Sequence, residues 1–496
     1  MKKKELLIIL GSLLVVVLSV TVAYFTTEIF GSGKEISASS ADLKITFSSG
    51  SGNISSSNIE PGWSSGTSTF TVKNESNGTY KYNIVIKDLV NTFVTTGYLQ
   101  YKITSADGGY NMSEFKDVPK RSTPKDTRLT YSVEIPKGKT HSYSIEFKYT
   151  NSANDQSNDM GKELSGTLYI EKGTLPKLSE KLFADNPTIK TRTSFNTTFT
   201  ETNTGTLYKA TESIANSPAK DVYYFAGNAK NNWVKFGGFY WRIIRTNHDG
   251  SIRLLYAGTS PDTTDGYIDT SQFNSSYNNP MYVGYMFGTS GSLASNRANT
   301  SNSTIKTYID NWYSTKLSSY SKYISTEAVY CNDREVGSGT YSATGSEFNY
   351  AAWTRLSTNK TPTYNCTNSK DAFSGSNSEA KLTYPIGLMT ADEIVYAGGK
   401  AHTKLLSPYA WYYLNSVGGS ITGNTSWGSL SPEYWDGTYS GVWSVNGSGI
   451  PGNLTGNRVD YSIGVRPAIS LKTCALWTSG NGSPETPYEI STTSGC

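Results

Sequence analysis

The sequence predicts a multidomain, β-rich chain: an N-terminal transmembrane helix, then an all-β antiparallel sandwich, then a larger α+β domain. Three observations predict this. The chain has 496 residues, too many for one ordinary hydrophobic core. It is rich in Tyr, with 36 residues, and in Thr, which favours β-sheet over helical bundles. Its first thirty residues contain an uncharged apolar run long enough to span a bilayer.

The apolar run is "LLIILGSLLVVVLSVTVAYF", from Leu6 to Phe25, and it follows the cationic start "MKKKE". We therefore predict that residues 1–33 are a signal-anchor helix and a short linker. The lysines should stay in the cytoplasm, which gives a single-pass protein of the cell membrane with its bulk extracellular. Cleavage of a leader after Ala23, followed by secretion, remains an alternative.

Residues 34–172 contain short segments in which apolar and polar residues alternate, such as "STFTVKN", "YKYNIVIKDL" and "HSYSIEFKYT". Several such segments separated by Asn-rich turns predict an antiparallel β-sandwich. Residues 173–205 are predicted to be a linker, with one short helix in "KLSEKLFADN" and an extended, solvated remainder.

Residues 206–496 form a separate domain in this interpretation, because nine of the ten Trp and all four Cys lie there. Within it, residues 231–256 contain two turn signals and predict a three-strand meander. Phe239, Trp241 and Ile243 should share its apolar face, with Arg245 at the tip. Farther along, Thr390 and Glu393 have the spacing of a helix capping box.

The four cysteines are expected to form two disulfides, because an exported chain matures in an oxidising compartment. We expect sequential pairing, Cys331 with Cys366 and Cys474 with Cys496. Each bond would contribute about 3–4 kcal/mol on the chain-entropy estimate. Four reduced thiols are the alternative.

The first half contains five characteristic elements: Ala23–Phe25, Leu43–Ile45, Pro61–Gly62, Phe70–Asn74 and Tyr80–Ile86. With these elements it resembles the TasA/camelysin family of exported bacterial matrix proteins. The resemblance covers about the first 170 residues, and it implies a surface or fibre-associated domain. One departure is Trp63, where that family often has Asp.

The second half contains the segments "WVKFGGFYWRIIR", "YCNDR", "GLMTADE", "GVRPAISL" and "GNGSPETPYEI". As a set they resemble a domain of unknown function at the end of many surface proteins of Gram-positive bacteria. That domain is related to the formylglycine-generating-enzyme branch of the C-type lectin-like fold. The resemblance implies a C-type-lectin-like domain with a twisted antiparallel sheet, one or two helices and long loops.

Neither H-E-x-x-H nor a Walker loop occurs in the sequence. The three His are far apart, and a net charge of +4 without a basic stripe argues against nucleic acid as a partner. We therefore expect no catalytic residue, metal or cofactor. A formylglycine-generating type of enzyme is an alternative with little support, since Cys331 and Cys366 fit a structural disulfide better.

The candidate ligand site is residues 422–457, where aromatic side chains stand among Gly, Ser and Asn. This composition is typical of recognition loops, although any single Trp could instead pack inward. We predict a membrane-anchored extracellular bacterial surface protein, a binding or adhesion module on a β-sandwich stalk. Its ligand would be a glycan or a cell-surface protein; the alternative is a biofilm-matrix or surface-fibre subunit that self-associates through the sandwich. The candidate binding residues are Trp427, Tyr434, Trp435, Tyr439 and Trp443.

Overall fold

The computed structural model describes the backbone of residues 45–49 and residues 59–75, 78–215 and 217–496 in full. The chain divides into two compact units between Leu175 and Pro176. The predicted signal anchor at residues 1–33 lies outside the described residues. Among the residues described, no helix is both long and apolar enough to cross a membrane.

The first unit is a β-sandwich, as predicted. One sheet has the strand order β1-β2-β8-β4-β5. In the other, β6 and β7 pair with one edge of β3 while β9 pairs with its opposite edge. The strands are β1 (Ile45–Ser49), β2 (Ser68–Asn74), β3 (Tyr80–Asn91), β4 (Leu99–Ser105), β5 (Lys116–Asp117), β6 (Arg121–Arg128), β7 (Val133–Ile135), β8 (Thr140–Tyr149) and β9 (Leu164–Lys172).

Alternation of side chains along these strands builds the core between the two sheets. Phe70 and Val72 of β2 are buried, and Tyr143 and Ile145 of β8 lie beside them in the same core. Ile84 of β3 reaches this core from the opposite sheet. Because successive strand residues point to opposite faces, the period of two in the sequence predicts this core directly.

The second unit is mostly β-sheet with a few short helices. A ten-stranded sheet contains β10, β12, β13, β15–β17, β25 and β30–β32, and a seven-stranded sheet contains β18, β22, β23 and β26–β29. The strands are β10 (Thr188–Lys190), β11 (Thr202–Asn203), β12 (Thr206–Glu212), β13 (Lys220–Tyr224), β14 (Asn228–Ala229), β15 (Trp233–Phe236), β16 (Phe239–Thr246), β17 (Ile252–Tyr256), β18 (Thr270–Ser271), β19 (Met286–Phe287), β20 (Ser301–Asn302), β21 (Tyr330–Cys331), β22 (Val336–Ser338), β23 (Phe348–Tyr350), β24 (Ala372–Phe373), β25 (Gly387–Leu388), β26 (Trp427–Trp435), β27 (Ser440–Val445), β28 (Leu454–Arg458), β29 (Ile463–Gly464), β30 (Pro467–Leu471), β31 (Trp477–Ser479) and β32 (Tyr488–Ile490). The helices are α1 (Leu178–Asp185), α2 (Leu293–Asn296), α3 (Thr304–Lys316), α4 (Ala351–Trp353) and α5 (Ala391–Ala397).

The meander predicted for residues 231–256 is present as β15, β16 and β17. Trp241 pairs with Tyr256, and the register then shifts by one residue between Ile243 and Arg245. Such a β-bulge moves every later side chain to the other face. Arg245 therefore pairs with Arg253 and lies on the face opposite Ile243. The alternating pattern predicted it at the tip of the apolar face, and that prediction is wrong.

The segment predicted to be a solvated linker belongs in large part to the second unit, which begins at Pro176. Leu178 and Leu182 of α1 are buried in that unit's core, and β10 pairs with β12. The short helix predicted in "KLSEKLFADN" is present as α1, and its apolar face packs into the core of the second unit.

The two ends of the second unit meet. The backbone N–H of Leu178 donates to the carbonyl of Ala475 at 2.8 Å, and that of Trp477 donates to Pro176 at 2.9 Å. Both predicted disulfides form, Cys331–Cys366 and Cys474–Cys496, and the second one closes the chain next to this contact.

Candidate functional site

Of the five aromatic residues predicted to line a recognition loop, four lie on strands, and Tyr439 lies in the turn between β26 and β27. Residues 427–458 contain β26, β27 and β28, which pair in antiparallel fashion in that order. A strand sends its side chains alternately to its two faces, so these residues do not share one ligand-facing surface.

The three tryptophans of the set are buried in the core. Trp427, Trp435 and Trp443 are 1%, 2% and 0% exposed. Trp427 packs against the guanidinium of Arg466, 4.9 Å away, and Trp443 lies against the ring of His402. The expectation that these rings contact a ligand is therefore wrong, since a ligand in solution cannot reach them.

The two tyrosines of the set are half-buried and belong to an aromatic cluster around Arg458, the last residue of β28. The Arg458 Cζ atom lies 4.4, 4.7 and 5.3 Å from the ring centres of Tyr277, Tyr439 and Tyr461. Tyr434 packs edge-on against Tyr439. Tyr277 is 38% exposed and Tyr461 is 50% exposed. We call this cluster the tyrosine platform: Tyr277, Tyr434, Tyr439, Arg458 and Tyr461.

Arg458 is fixed at the centre of the tyrosine platform by Asp460. Its Nε and Nη2 donate to the two oxygens of Asp460 at 2.9 and 2.7 Å, a bidentate arrangement that restrains the guanidinium plane. These hydrogen bonds raise the pKa of Arg458. Because a held cation attracts the faces of nearby rings, the tyrosines are preorganised around it.

Two glycines make room for Tyr434 on the sheet. A Cβ atom at Gly441 would lie 2.4 Å from Cε1 of Tyr434, and one at Gly456 would lie 2.8 Å from the same atom. Both distances are shorter than any real carbon contact. The ring of Tyr434 therefore lies close against β27 and β28 at these two glycines, where a larger residue would displace it.

The two exposed tyrosines are held by backbone contacts to the same strands. The N–H and Oγ of Ser440 donate to the carbonyl of Tyr277 at 2.9 and 3.0 Å. The N–H of Tyr461 donates to the carbonyl of Arg458 at 3.2 Å. Both rings stand on short turns anchored to β27 and β28, so their positions depend on the sheet.

A small apolar pocket opens beside the tyrosine platform and shares Arg458 and Tyr461 with it. Its lining leaves about 310 Å³ of unfilled space, open mouth included. Most of that space is the open mouth, and the enclosed part holds one group of about the size of a water molecule or a methyl group, not a sugar ring. The apolar lining is Phe273, Ile305, Leu388, Val442, Ile463 and Val465.

Glu433 lies next to the platform but is buried. Its Oε2 has no hydrogen-bond partner among the described residues, and its Oε1 is 3.8 Å from Nε2 of His402. That Nε2 is 3.0 Å from Oγ of Ser357. Burial raises the pKa of Glu433 to about 8, because an apolar site disfavours the charged form. At neutral pH this carboxyl is therefore mostly protonated.

A second, charged pocket lies beside the Cys331–Cys366 disulfide. Its arginines are already paired: buried Arg245 bonds Glu212 and Glu393, and half-buried Arg355 bonds both Asp333 and Asp392. Burial alone would raise the pKa of Glu212, but Arg245 and His248 lower it to about 2. These ion pairs hold the strands together, and they leave few polar groups for a substrate.

The sequence interpretation missed Tyr277, Arg458 and Tyr461. Tyr277 stands in "NSSYNNP" and Tyr461 in "NRVDYS", each a tyrosine among short polar turn residues. That signal is available in the sequence, yet only the fold brings the two segments together. Among the described residues, no group of three or more His, Cys, Asp or Glu is placed to hold a metal ion.

No known protein family, curated protein or solved structure matches this chain.

Proposed function

We propose that this chain is an extracellular, non-catalytic binding protein whose second unit recognises a glycan through the tyrosine platform. The observation that carries the proposal is the pair of exposed tyrosines, Tyr277 and Tyr461, whose rings are held by the central cation of Arg458. The exposed ring faces are apolar and their hydroxyl groups are polar. Such a side chain can pack against an apolar ligand face while its hydroxyl group stays in contact with water.

A sugar ring presents the complementary chemistry. Its C–H groups form an apolar face that packs on an aromatic ring, and its hydroxyl groups bond to polar side chains at the edge. The platform supplies such polar groups in Asp460 and in Asp436, whose Oδ1 accepts from the N–H of Tyr439 at 2.8 Å. Rings that are fixed before binding lose little conformational freedom when the ligand arrives.

An extracellular location fits the two disulfides, since such bonds persist in oxidising compartments. The N-terminal membrane anchor, the TasA-like stalk and the C-type-lectin-like character of the second unit are part of the same proposal. In it, the β-sandwich holds the second unit away from the membrane, and the tyrosine platform meets the ligand.

Glycan binding by the purified, oxidised full-length chain tests this proposal, first on an oligosaccharide array and then by titration calorimetry. Tyr461→Ala and Tyr277→Ala should each weaken binding by about tenfold, the loss expected for a central aromatic contact. Tyr461→Phe should keep most of the affinity because it keeps the ring face. Val417→Ala is the matched control, since Val417 is exposed but lies in a different turn.

The outcomes separate the candidate functions. Selective binding that Tyr461→Ala weakens and Val417→Ala preserves would support glycan recognition at the platform. Absence of binding to every oligosaccharide would reject it. Concentration-dependent assembly of the same chain would then favour the structural role of a fibre subunit.

A further inference from the structure

We infer that the small apolar pocket beside the tyrosine platform is a subsite for the N-acyl group of an amino sugar, so that the ligand contains N-acetylhexosamine units. This inference rests on the proposed glycan function and adds the class of sugar. The pocket and the platform share Arg458 and Tyr461, so one ligand can occupy both at once.

The lining of the pocket selects an apolar substituent. Six aliphatic or aromatic side chains form its walls, and Ser271 and Arg458 contribute polar atoms. A free hydroxyl or amine placed there would lose its water without gaining an equivalent partner, which costs free energy. The methyl of an acetyl group would bury apolar surface at no such cost.

Arg458 supplies a hydrogen-bond donor that matches the carbonyl of an amide. Its Nε and Nη2 are committed to Asp460, whereas no acceptor for Nη1 is found in the part of the chain that the structure describes. A guanidinium has five N–H donors in a fixed plane. An acetamido group whose methyl enters the pocket would therefore have its carbonyl oxygen near this nitrogen.

Charge at the site favours a neutral carbonyl over a carboxylate. Asp460 offsets the charge of Arg458 through two hydrogen bonds, and Asp436 adds a further negative charge beside Tyr439. An anionic sugar would find no net positive charge to attract it. The carboxylates of Asp460 and Asp436 would repel it, because like charges close together repel. The site therefore suits an uncharged acylated sugar better than a sialic or uronic acid.

The test uses three tetrasaccharides that differ only at carbon 2 of each ring. They are the tetramers of N-acetylglucosamine, of glucosamine and of glucose, and each is titrated into the oxidised full-length chain. We expect the acetylated tetramer to bind at least about tenfold more tightly than the glucose tetramer. Ser271→Phe should narrow the pocket and reduce the acetylated tetramer to the affinity of the glucose tetramer, without changing the latter.

Two results with the unaltered chain would overturn the inference while the glycan function stands. One is equal affinity for the acetylated and glucose tetramers. The other is tighter binding of the glucosamine tetramer than of the acetylated tetramer, because charge would then dominate. Absence of binding to any tetramer would overturn the inference together with the proposed function. Since the parent chain alone gives these answers, the inference remains testable even if Ser271→Phe does not fold.

Discussion

Arg245 and Arg253 face each other across β16 and β17, and both donate to the same oxygen of Glu393, each at 2.8 Å. The other oxygen of Glu393 accepts from the N–H of Thr390, which closes the capping box at the start of α5. One buried carboxylate thus joins two strands to a helix.

We expect Glu393→Gln to lower the free energy of unfolding by about 3–5 kcal/mol. The substitution would leave the buried guanidinium of Arg253 without an anion and that of Arg245 with Glu212 alone, and the cost of breaking a buried ion pair is of this size. Urea unfolding followed by near-ultraviolet circular dichroism measures the loss. Glu327→Gln is the control because Glu327 is exposed; an equal effect of the two substitutions would contradict the assigned role.

Glu433→Gln should stabilise the protein at alkaline pH. Because the folded pKa of Glu433 is about 8 and the unfolded value is near 4.5, the unfolded chain ionises first as pH rises. The native protein therefore loses stability between pH 4.5 and 8, and the neutral amide avoids this loss. The expected gain is about 4 kcal/mol at pH 8 and near zero at pH 4.

Thermal unfolding of the parent and Glu433→Gln between pH 4 and 9 checks this prediction. Glu347→Gln, at an exposed position, should show no pH-dependent gain. A gain for Glu433→Gln that stays constant across the pH range would mean that packing, and not ionisation, explains it.

Gly441→Ala should destabilise the second unit by about 1–3 kcal/mol, the usual cost of forcing a methyl group into a filled space. The new Cβ would lie against the ring of Tyr434, so glycan affinity should fall as well. The matched variant is Gly449→Ala, because a Cβ at Gly449 meets nothing within 4 Å. Urea unfolding and the glycan titration together report both effects.

Leu182→Ala should cost about 2–5 kcal/mol, although this residue lies in a segment whose sequence predicts a linker. Leu182 is buried in the core of the second unit, and removing a buried aliphatic side chain leaves a cavity. The adjacent Phe183→Ala should cost at most about 1 kcal/mol, since Phe183 is 36% exposed. Similar small losses for both variants would show that α1 is dispensable for this core.

Where a pattern is local, the sequence predicted the structure well. Alternation along "STFTVKN" and "HSYSIEFKYT" predicts two strands of the sandwich, and the spacing of Thr390 and Glu393 predicts the helix cap. The sequential pairing of the four cysteines is confirmed. The two strands and the helix cap depend on neighbours within a few residues. The disulfide pairing was predictable because four cysteines allow few alternative pairings.

The features that sequence did not predict depend on contacts between distant segments. The bulge after Ile243 changes the face of Arg245 because Glu393, 148 residues away, offers it a partner. Trp427, Trp435 and Trp443 stand in a composition typical of binding loops, yet pairing of β26 with β27 places them in the core. Tyr461 lies in the turn directly after β28 and Arg458, whereas Tyr277, far away in sequence, reaches Arg458 only through the fold.

Because Pro176–Leu178 contacts Ala475–Trp477, the second unit could be moved as a module into another protein. A unit whose chain enters and leaves at one place can be inserted in a surface loop of another protein with little distortion of either partner. The Cys474–Cys496 bond strengthens this closure. Evolution or an engineer could therefore exchange the part of the chain before Pro176 without rebuilding the tyrosine platform.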